Sequence, residues 1–464
     1  MRYDAIVVGA GPAGLTCATE MAGRGGRVLL LEAADRIGGA LHLSGGHLSA
    51  AGTRRQRERG IEDTAEAHYA DIVRISFGTA ETDLVRLAVE HAGETVDLLD
   101  AAGFEFAPET PRIVHGHEPY SVPRTYYGIE HGRSVLKILR RQLEESTAEV
   151  RLSARVTALL IEDGVCVGVR VGAEEIRAAS TVLCTGGFGA DPDLFAELEG
   201  APLVSAAAPT STGDGLRLAR DVGAAIVGQG SYIPTFGGLP PADGIRVEWQ
   251  QRPRLVATER PPWEIYVDRA GRRFVAEDEP SIDAKERALA DVPEMTFWMI
   301  FDAAAADASW PVVEGWERSD LDDRAGILPG VHRAADLTQL AALAGIDPDG
   351  LVASVAAYNA GVTTGRDALG RQHLPARIDQ PPFYALRNHG VTLITFCGVD
   401  VDADLAVRRP DGSAVRGLYA AGEVLGTAAT SGHAFCGGML LTPALTFGRL
   451  LGRELPVAVD LSAP

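Results

Sequence analysis

Three glycines and one carboxylate near the amino terminus have the spacing of a nucleotide clamp. Gly9, Gly11 and Gly14 stand in Gly9-Ala10-Gly11-Pro12-Ala13-Gly14, and Glu32 closes a later apolar run. In such an arrangement the first glycine makes a tight turn and the second lets backbone approach a pyrophosphate. The third lets a helix pack closely on a sheet. Free amides at the helix start attract the phosphates. Glu32 can accept hydrogen bonds from both hydroxyls of a ribose and repels a 2′-phosphate. Arg36-Ile37-Gly38-Gly39 and Ser44-Gly45-Gly46 follow. A second glycine-rich stretch suits a ligand that continues past its adenosine half. On these residues alone the dinucleotide is NAD or FAD. Only one complete fingerprint is present, so a second redox partner is expected to be external.

The elements that must position these groups read as strand, turn, helix, strand. Residues 5–8 form a short buried strand, 15–24 a helix, and 28–31 the next strand, ending at the acid. Helical periodicity with few breakers runs from 62 to 103, and 134–144 is amphipathic. Residues 151–161 and 165–171 alternate around Asp163-Gly164, which predicts a hairpin. Residues 181–184 predict a buried strand that ends in Thr185-Gly186-Gly187-Phe188. Thr212-Gly213-Asp214-Gly215 precedes a helix over 216–222, with a solvent turn as the alternative use of those residues. Helices are predicted over 336–344 and 347–360, then a polar return over 361–382. Residues 399–407 alternate toward Asp411-Gly412, and 417–420 are a short strand ending at Ala421-Gly422-Glu423. A final helix follows Gly437-Gly438, with Pro443 tolerated only in its first turn.

At 464 residues the chain is long enough for more than one core. Hydrophobic residues make up 46% and charged residues 23%, which excludes a disordered or fibrous chain. A formal charge of -20 disfavours nucleic acid as a partner. Five scattered cysteines suggest neither a disulfide framework nor a metal site. No apolar run reaches membrane-spanning length, and the first residues lack the order of a signal peptide. A cytoplasmic location is the expectation. All five tryptophans lie between 249 and 316, marking a second domain. They either wall an apolar substrate or fill that domain's core.

Taken in order, these motifs resemble the FAD-dependent fumarate reductase and 3-ketosteroid dehydrogenase superfamily. The glycine turn with Glu32, Gly38-Gly39, Ser44-Gly45-Gly46 and Thr185 to Phe188 carry the likeness. So do Thr212 to Gly215, Gly271-Arg272-Arg273-Phe274 with Glu277, Tyr358-Asn359, Arg371, Pro382 to Ala385, Gly417 to Glu423, and Gly437-Gly438 with Thr446 to Arg449. The resemblance implies an α/β fold: a Rossmann-like FAD-binding domain with an inserted α+β substrate-capping domain. It places the flavin domain at 1–230 and 378–464 and the cap at 231–377. It implies noncovalent FAD and extends the contacts to Pro12, Ala13, Ala33, Val156, Thr185, Gly186, Gly187, Asp214, Gly422, Glu423, Gly438, Met439, Leu440 and Leu441.

Enzymes of this superfamily pass a hydride between flavin and one carbon of a C–C bond, while an acid or base handles the neighbouring proton. The dicarboxylate-gripping arginine of the fumarate branch falls on Phe435, its catalytic arginine falls within 278–283, where none stands, and its histidine falls near Ile394. The carboxyl-terminal tyrosine of the ketosteroid branch falls near Ala434. The expectation is therefore dehydrogenation or ene reduction beside a carbonyl, on a largely apolar small molecule. Alternatives are an oxygen-using flavoenzyme and, disfavoured, a dicarboxylate oxidoreductase. His433, four residues before Gly437, is the leading acid–base candidate, or else orders its loop. Tyr232 and Tyr127 (beside Tyr126) are candidate carbonyl donors or bases, and His389 a candidate from another side. Arg273 is expected to pair with Glu277 inside the cap.

Overall fold

The computed structural model describes residues 2–115, 117–241 and 244–458. Two compact units emerge. One comprises residues 1–200, 207–232 and 394–464, and the other 201–206 and 233–393.

The first unit is built on an eight-stranded sheet. Seven strands follow in the order Ala406–Arg408, Ala414–Ala420, Val165–Val171, Glu174–Leu183, Tyr3–Val8, Val28–Leu31 and Glu149–Arg151. Val156–Glu162 pairs with Val165–Val171. Apolar runs such as Ala5-Ile6-Val7 are fully buried, as parallel strands covered on both faces must be. Val8, Leu183 and Ala420 lie side by side in parallel register. That alignment gathers three loops at one edge of the sheet: Gly9 to Gly14, Cys184 to Phe188, and Ala421 to Glu423. Ligands bind in this crevice beyond the strand ends in open α/β sheets.

Helix Pro12–Gly23 starts at the glycine turn and packs against the last helix, Leu441–Glu454. Small residues permit the approach: a Cβ on Gly448 would lie 2.3 Å from the Ala13 carbonyl oxygen. Pro443 sits in the first turn of that helix, where no intrahelical amide bond is lost.

The second unit holds a four-stranded antiparallel sheet in the order Ile265–Val267, Thr296–Asp302, Phe383–His389, Val331–Ala334. Helices Leu337–Ala344 and Pro348–Thr364 contribute Leu340, Leu351, Val355 and Tyr358 to its core, beside Trp298 and Phe383. Trp298 and Trp316 are buried, whereas Trp249, Trp263 and Trp310 are only half-buried.

Several elements differ from the sequence reading. The periodic stretch 62–103 is two helices, Ala65–Ile75 and Thr82–Ala101, parted where Phe77 and Gly78 take positive φ. Phe383–His389 belongs to the second unit, because all seven residues pair with Thr296–Asp302. The return to the first unit therefore falls at Ile394 and not at residue 378. The alternating stretch 399–407 is two strands: Gly398–Val399 pairs with Ile226–Val227, and Ala406–Arg408 with Ala414–Ala420. Asp214 is the first residue of a helix reaching Asp221, capped by Gly213 in the left-handed conformation.

Candidate functional site

The glycine turn is shaped by two packing constraints and one opening. A Cβ on Gly9 would lie 2.3 Å from the Cys184 carbonyl oxygen, and one on Gly14 1.9 Å from the Gly9 carbonyl oxygen. Strand and helix thus demand glycine at both ends. Gly11 differs, because its Cβ would meet nothing within 4 Å. Gly11 is the N-cap of helix Pro12–Gly23, and no side chain caps that terminus. The space and the free amides fit a pyrophosphate. Glu32 is held ready beside it, its carboxylate accepting from the Ala10 amide (2.7 Å) and the Ala34 amide (2.8 Å). Ala33 lies between these contacts. The Ala154 amide donates to the Glu32 carbonyl, which brings Val156 to the same end of the cradle. Arg155 forms an ion pair with Asp214.

Gly38 and Gly39 both take positive φ, and the Gly38 amide donates to the Ala10 carbonyl at 2.8 Å. The second glycine stretch is thereby tied to the first. The Ser44 hydroxyl accepts from the Gly46 amide at 3.0 Å, and Gly45 has only His47 nearby, at 3.9 Å. Farther along, Glu423 is enclosed. Its carboxylate accepts from the Thr395 amide (3.1 Å) and hydroxyl (3.2 Å), and burial raises its pKa. A Cβ on Gly187 would lie 2.5 Å from that carboxylate. Gly422 takes positive φ and faces Ala13, which joins the third loop to the first. The Thr185 hydroxyl is buried with no partner, and neighbouring Gly186 has positive φ.

Gly437 and Gly438 lead into helix Leu441–Glu454, whose N-cap Leu440 provides no side-chain cap. A Cβ on Gly437 meets nothing within 4 Å, while one on Gly438 would strike the Ser49 amide at 2.5 Å. The Met439 amide closes the turn onto the Cys436 carbonyl. Gly11 and Gly437 thus each leave open space at the start of a helix.

The four candidates for proton transfer separate. His433 sits in the loop before Gly437; its amide donates to the Thr79 hydroxyl at 2.8 Å, and its Nδ1 is buried with no partner. Tyr232 is wedged edge-on against Phe195 (5.1 Å) and Phe396 (5.9 Å). Tyr127 is committed elsewhere: its hydroxyl donates to Glu109 at 2.6 Å, and burial and that carboxylate raise its pKa. His389 lies in the second unit with Nδ1 2.9 Å from the Thr296 hydroxyl. Burial and Arg387 lower its pKa to about 4, so it is a weak base.

A buried polar group beneath the Gly437 loop escaped the sequence reading. The Tyr120 hydroxyl donates to the Gly437 carbonyl at 2.6 Å. Arg124 is wholly buried and bridges Asp63 and Asp71, both at 2.8 Å. His68 stands edge-on to Tyr120 at 5.5 Å, with neither ring nitrogen hydrogen-bonded. Burial, then Arg124, lowers its pKa to about 3. These partners are separated by tens to hundreds of residues, so no local spacing could reveal them.

A mixed, parallel-rich sheet ending in a pyrophosphate-shaped glycine turn, a ribose-ready acid and a second glycine loop defines a dinucleotide-binding protein. The FAD binding domain family matches residues 4–440, and the chain belongs to it. It is an FAD-dependent oxidoreductase. It is 28% identical to a fumarate reductase (cytochrome) of Shewanella frigidimarina, over 97% of this chain and 76% of that protein. It is also 28% identical to the 4-oxocyclohexanecarboxylate 2-dehydrogenase of Sinomonas cyclohexanicum, over 98% of this chain and 92% of that protein. The 3-ketosteroid delta1-dehydrogenase from Sterolibacterium denitrificans shares the fold, with TM-score 0.79, 20% identity, and coverage of 98% of this chain and 99% of that one. Among the described residues no helix is long and apolar enough to cross a membrane.

Proposed function

We propose that this chain oxidises or reduces a C–C bond beside a carbonyl, in a largely apolar small molecule. FAD, when bound, supplies the two-electron hydride chemistry. Gly9 to Gly14 with Glu32 and Ala33 hold its adenosine and pyrophosphate half. Val156 and Asp214 border the adenine end. Gly38 to Gly46, Thr185 to Gly187 and Gly422-Glu423 line its middle, and Gly438 to Leu441 present amides to its ring. His433 moves the proton, since its free Nδ1 belongs to the loop beside Gly437. Tyr232 orients the substrate carbonyl.

The observation that carries the substrate class is the fate of three buried arginines of the second unit. Arg260, Arg273 and Arg371 have side chains no more than 7% exposed and are closed into pairs with Glu264, Glu277 and Asp367. Ion pairs this enclosed are expensive to open. None of the three is available to grip a dicarboxylate. Phe435, which replaces an expected carboxylate-binding arginine, stacks on His117 at 4.1 Å and offers an apolar wall. A relative named for 4-oxocyclohexanecarboxylate, a cyclic ketone that also carries one carboxylate, supports the ketone part of this reading.

The test is anaerobic absorption spectroscopy of the holoprotein against cyclic enones, their saturated ketones, fumarate and succinate. Expected is bleaching by saturated ketones, or recovery of colour in the reduced protein on adding enones. Faster response to the dicarboxylates would refute the proposal. Rapid recolouring by air alone would favour the oxygen-using alternative. A redox partner outside the chain follows from the single nucleotide fingerprint.

A further inference from the structure

Every carbonyl from Cys436 to Leu440 has a donor. Cys436 accepts from the Met439 amide, Gly438 from the Thr442 amide and Leu440 from the Ala444 amide. The remaining two accept from side chains: Gly437 from the Tyr120 hydroxyl at 2.6 Å, and Met439 from the Thr430 hydroxyl at 2.5 Å. These two bonds have a directional consequence. A peptide unit is planar and trans, so its carbonyl and its amide hydrogen point opposite ways. A Gly437 carbonyl drawn to Tyr120 fixes the Gly438 N–H on the other side. A Met439 carbonyl drawn to Thr430 does the same for the Leu440 N–H. Two amides at one helix start, those of Gly438 and Leu440, are therefore turned away from the side-chain hydroxyls that hold the loop.

The Tyr120 clamp and the Gly438 turn are each braced by further hydrogen bonds. Ser121, next to Tyr120, donates its amide and hydroxyl to Asp71 at 2.8 and 2.7 Å, and Asp71 is gripped in turn by Arg124. On the other flank, Ser49 presses on Gly438 and donates its amide to the Thr442 hydroxyl at 2.9 Å. His68, without a hydrogen-bond partner, gives Tyr120 an edge contact while the Tyr120 hydroxyl donates to Gly437.

We infer that Tyr120 and Thr430 are positioning residues that aim the Gly438 and Leu440 amides at the electron-rich carbonyl edge of the flavin and so raise its reduction potential. This rests on the FAD reading above. Oriented N–H dipoles stabilise the negative charge that a reduced flavin carries more than they stabilise the neutral oxidised ring.

The experiment is anaerobic redox titration of purified holoprotein carrying Tyr120→Phe, Thr430→Val or Thr95→Val. The last removes a hydroxyl bond to Thr446 of the same helix without touching the loop. Expected is about a tenfold shift toward the oxidised flavin in each clamp variant, a fall of ~30 mV for a two-electron couple, with no shift in Thr95→Val. FAD affinity of the oxidised protein should change far less than the potential. Unchanged potentials in the clamp variants, or an equal fall in Thr95→Val, would overturn the inference. Should Tyr120→Phe not fold, Thr430→Val alone decides. Wild-type protein that cannot bind FAD would instead sink the site reading itself, and this inference with it.

Discussion

Gly11→Ala separates ligand-imposed from fold-imposed glycine. Its backbone has φ -77 and ψ -174, which alanine adopts without strain. An added methyl meets no protein atom within 4 Å. Protein packing therefore gives no penalty, and the restricted unfolded chain should stabilise the apoprotein by ~0.4–1 kcal/mol. The methyl instead projects into the space assigned to the pyrophosphate. FAD affinity should fall at least about tenfold, which is ~1.4 kcal/mol. Gly14→Ala is the contrast. Its methyl would sit 1.9 Å from the Gly9 carbonyl oxygen, a backbone atom that cannot swing away. The apoprotein should lose ~1–3 kcal/mol or more from overpacking. Thermal unfolding of deflavinated protein and titration with FAD by fluorescence quenching measure the two quantities. Gly11→Ala protein that binds FAD as tightly as wild type would refute the placement of the pyrophosphate.

Three further outcomes follow from the geometry. His433→Ala should bind FAD normally yet lose ~10²–10⁴ in turnover, read by comparing FAD affinity with steady-state rates on the ketone or enone identified above. His68 has its pKa lowered to about 3 against an ordinary 6.5. Between those values the unfolded chain binds the extra proton, so stability falls as pH drops from 6.5 toward 3. His68→Phe should flatten that acid limb in denaturant titrations and leave stability above pH 7 equal or higher, since no unpaired nitrogen remains buried. Arg371→Met strips one cation from Glu277, which keeps only Arg273. It should destabilise the protein by ~3–5 kcal/mol, seen as a lower midpoint in chemical unfolding monitored by tryptophan fluorescence.

The features legible in the sequence were those whose causes are local. Gly9 to Gly14 with Glu32 mark a turn between strand and helix, and Asp163-Gly164 marks a hairpin, because backbone conformation there is set by neighbouring residues. Pro443 likewise signalled the first turn of the last helix. Distant pairing was not legible. Phe383–His389 carries no local mark of its sheet, and only its partner Thr296–Asp302 assigns it to the second unit. The break at Phe77 was hidden because a bulky residue at positive φ has no sequence signature. In the site, the glycines could be foreseen, whereas Tyr120 could not, since its acceptor Gly437 lies 317 positions away. Tyr127 and His389 stand out in the sequence by residue type alone, and their partners, Glu109 and Thr296, are set by the fold.

The main sheet has an implication for the order in which the protein is made. Strand Ala414–Ala420 docks beside Glu174–Leu183, yet more than half the chain's synthesis separates the emergence of Glu174 from completion of the last helix. Until then the nascent chain carries an unpaired apolar strand margin, a template for mispairing with other chains. The four strands of the antiparallel sheet, between residues 265 and 389, pair with one another and can consolidate on the ribosome before the last strands of the main sheet are made. Slowed translation or chain truncation after residue 393 should therefore yield a folded inner segment flanked by an aggregation-prone, flavin-free remainder.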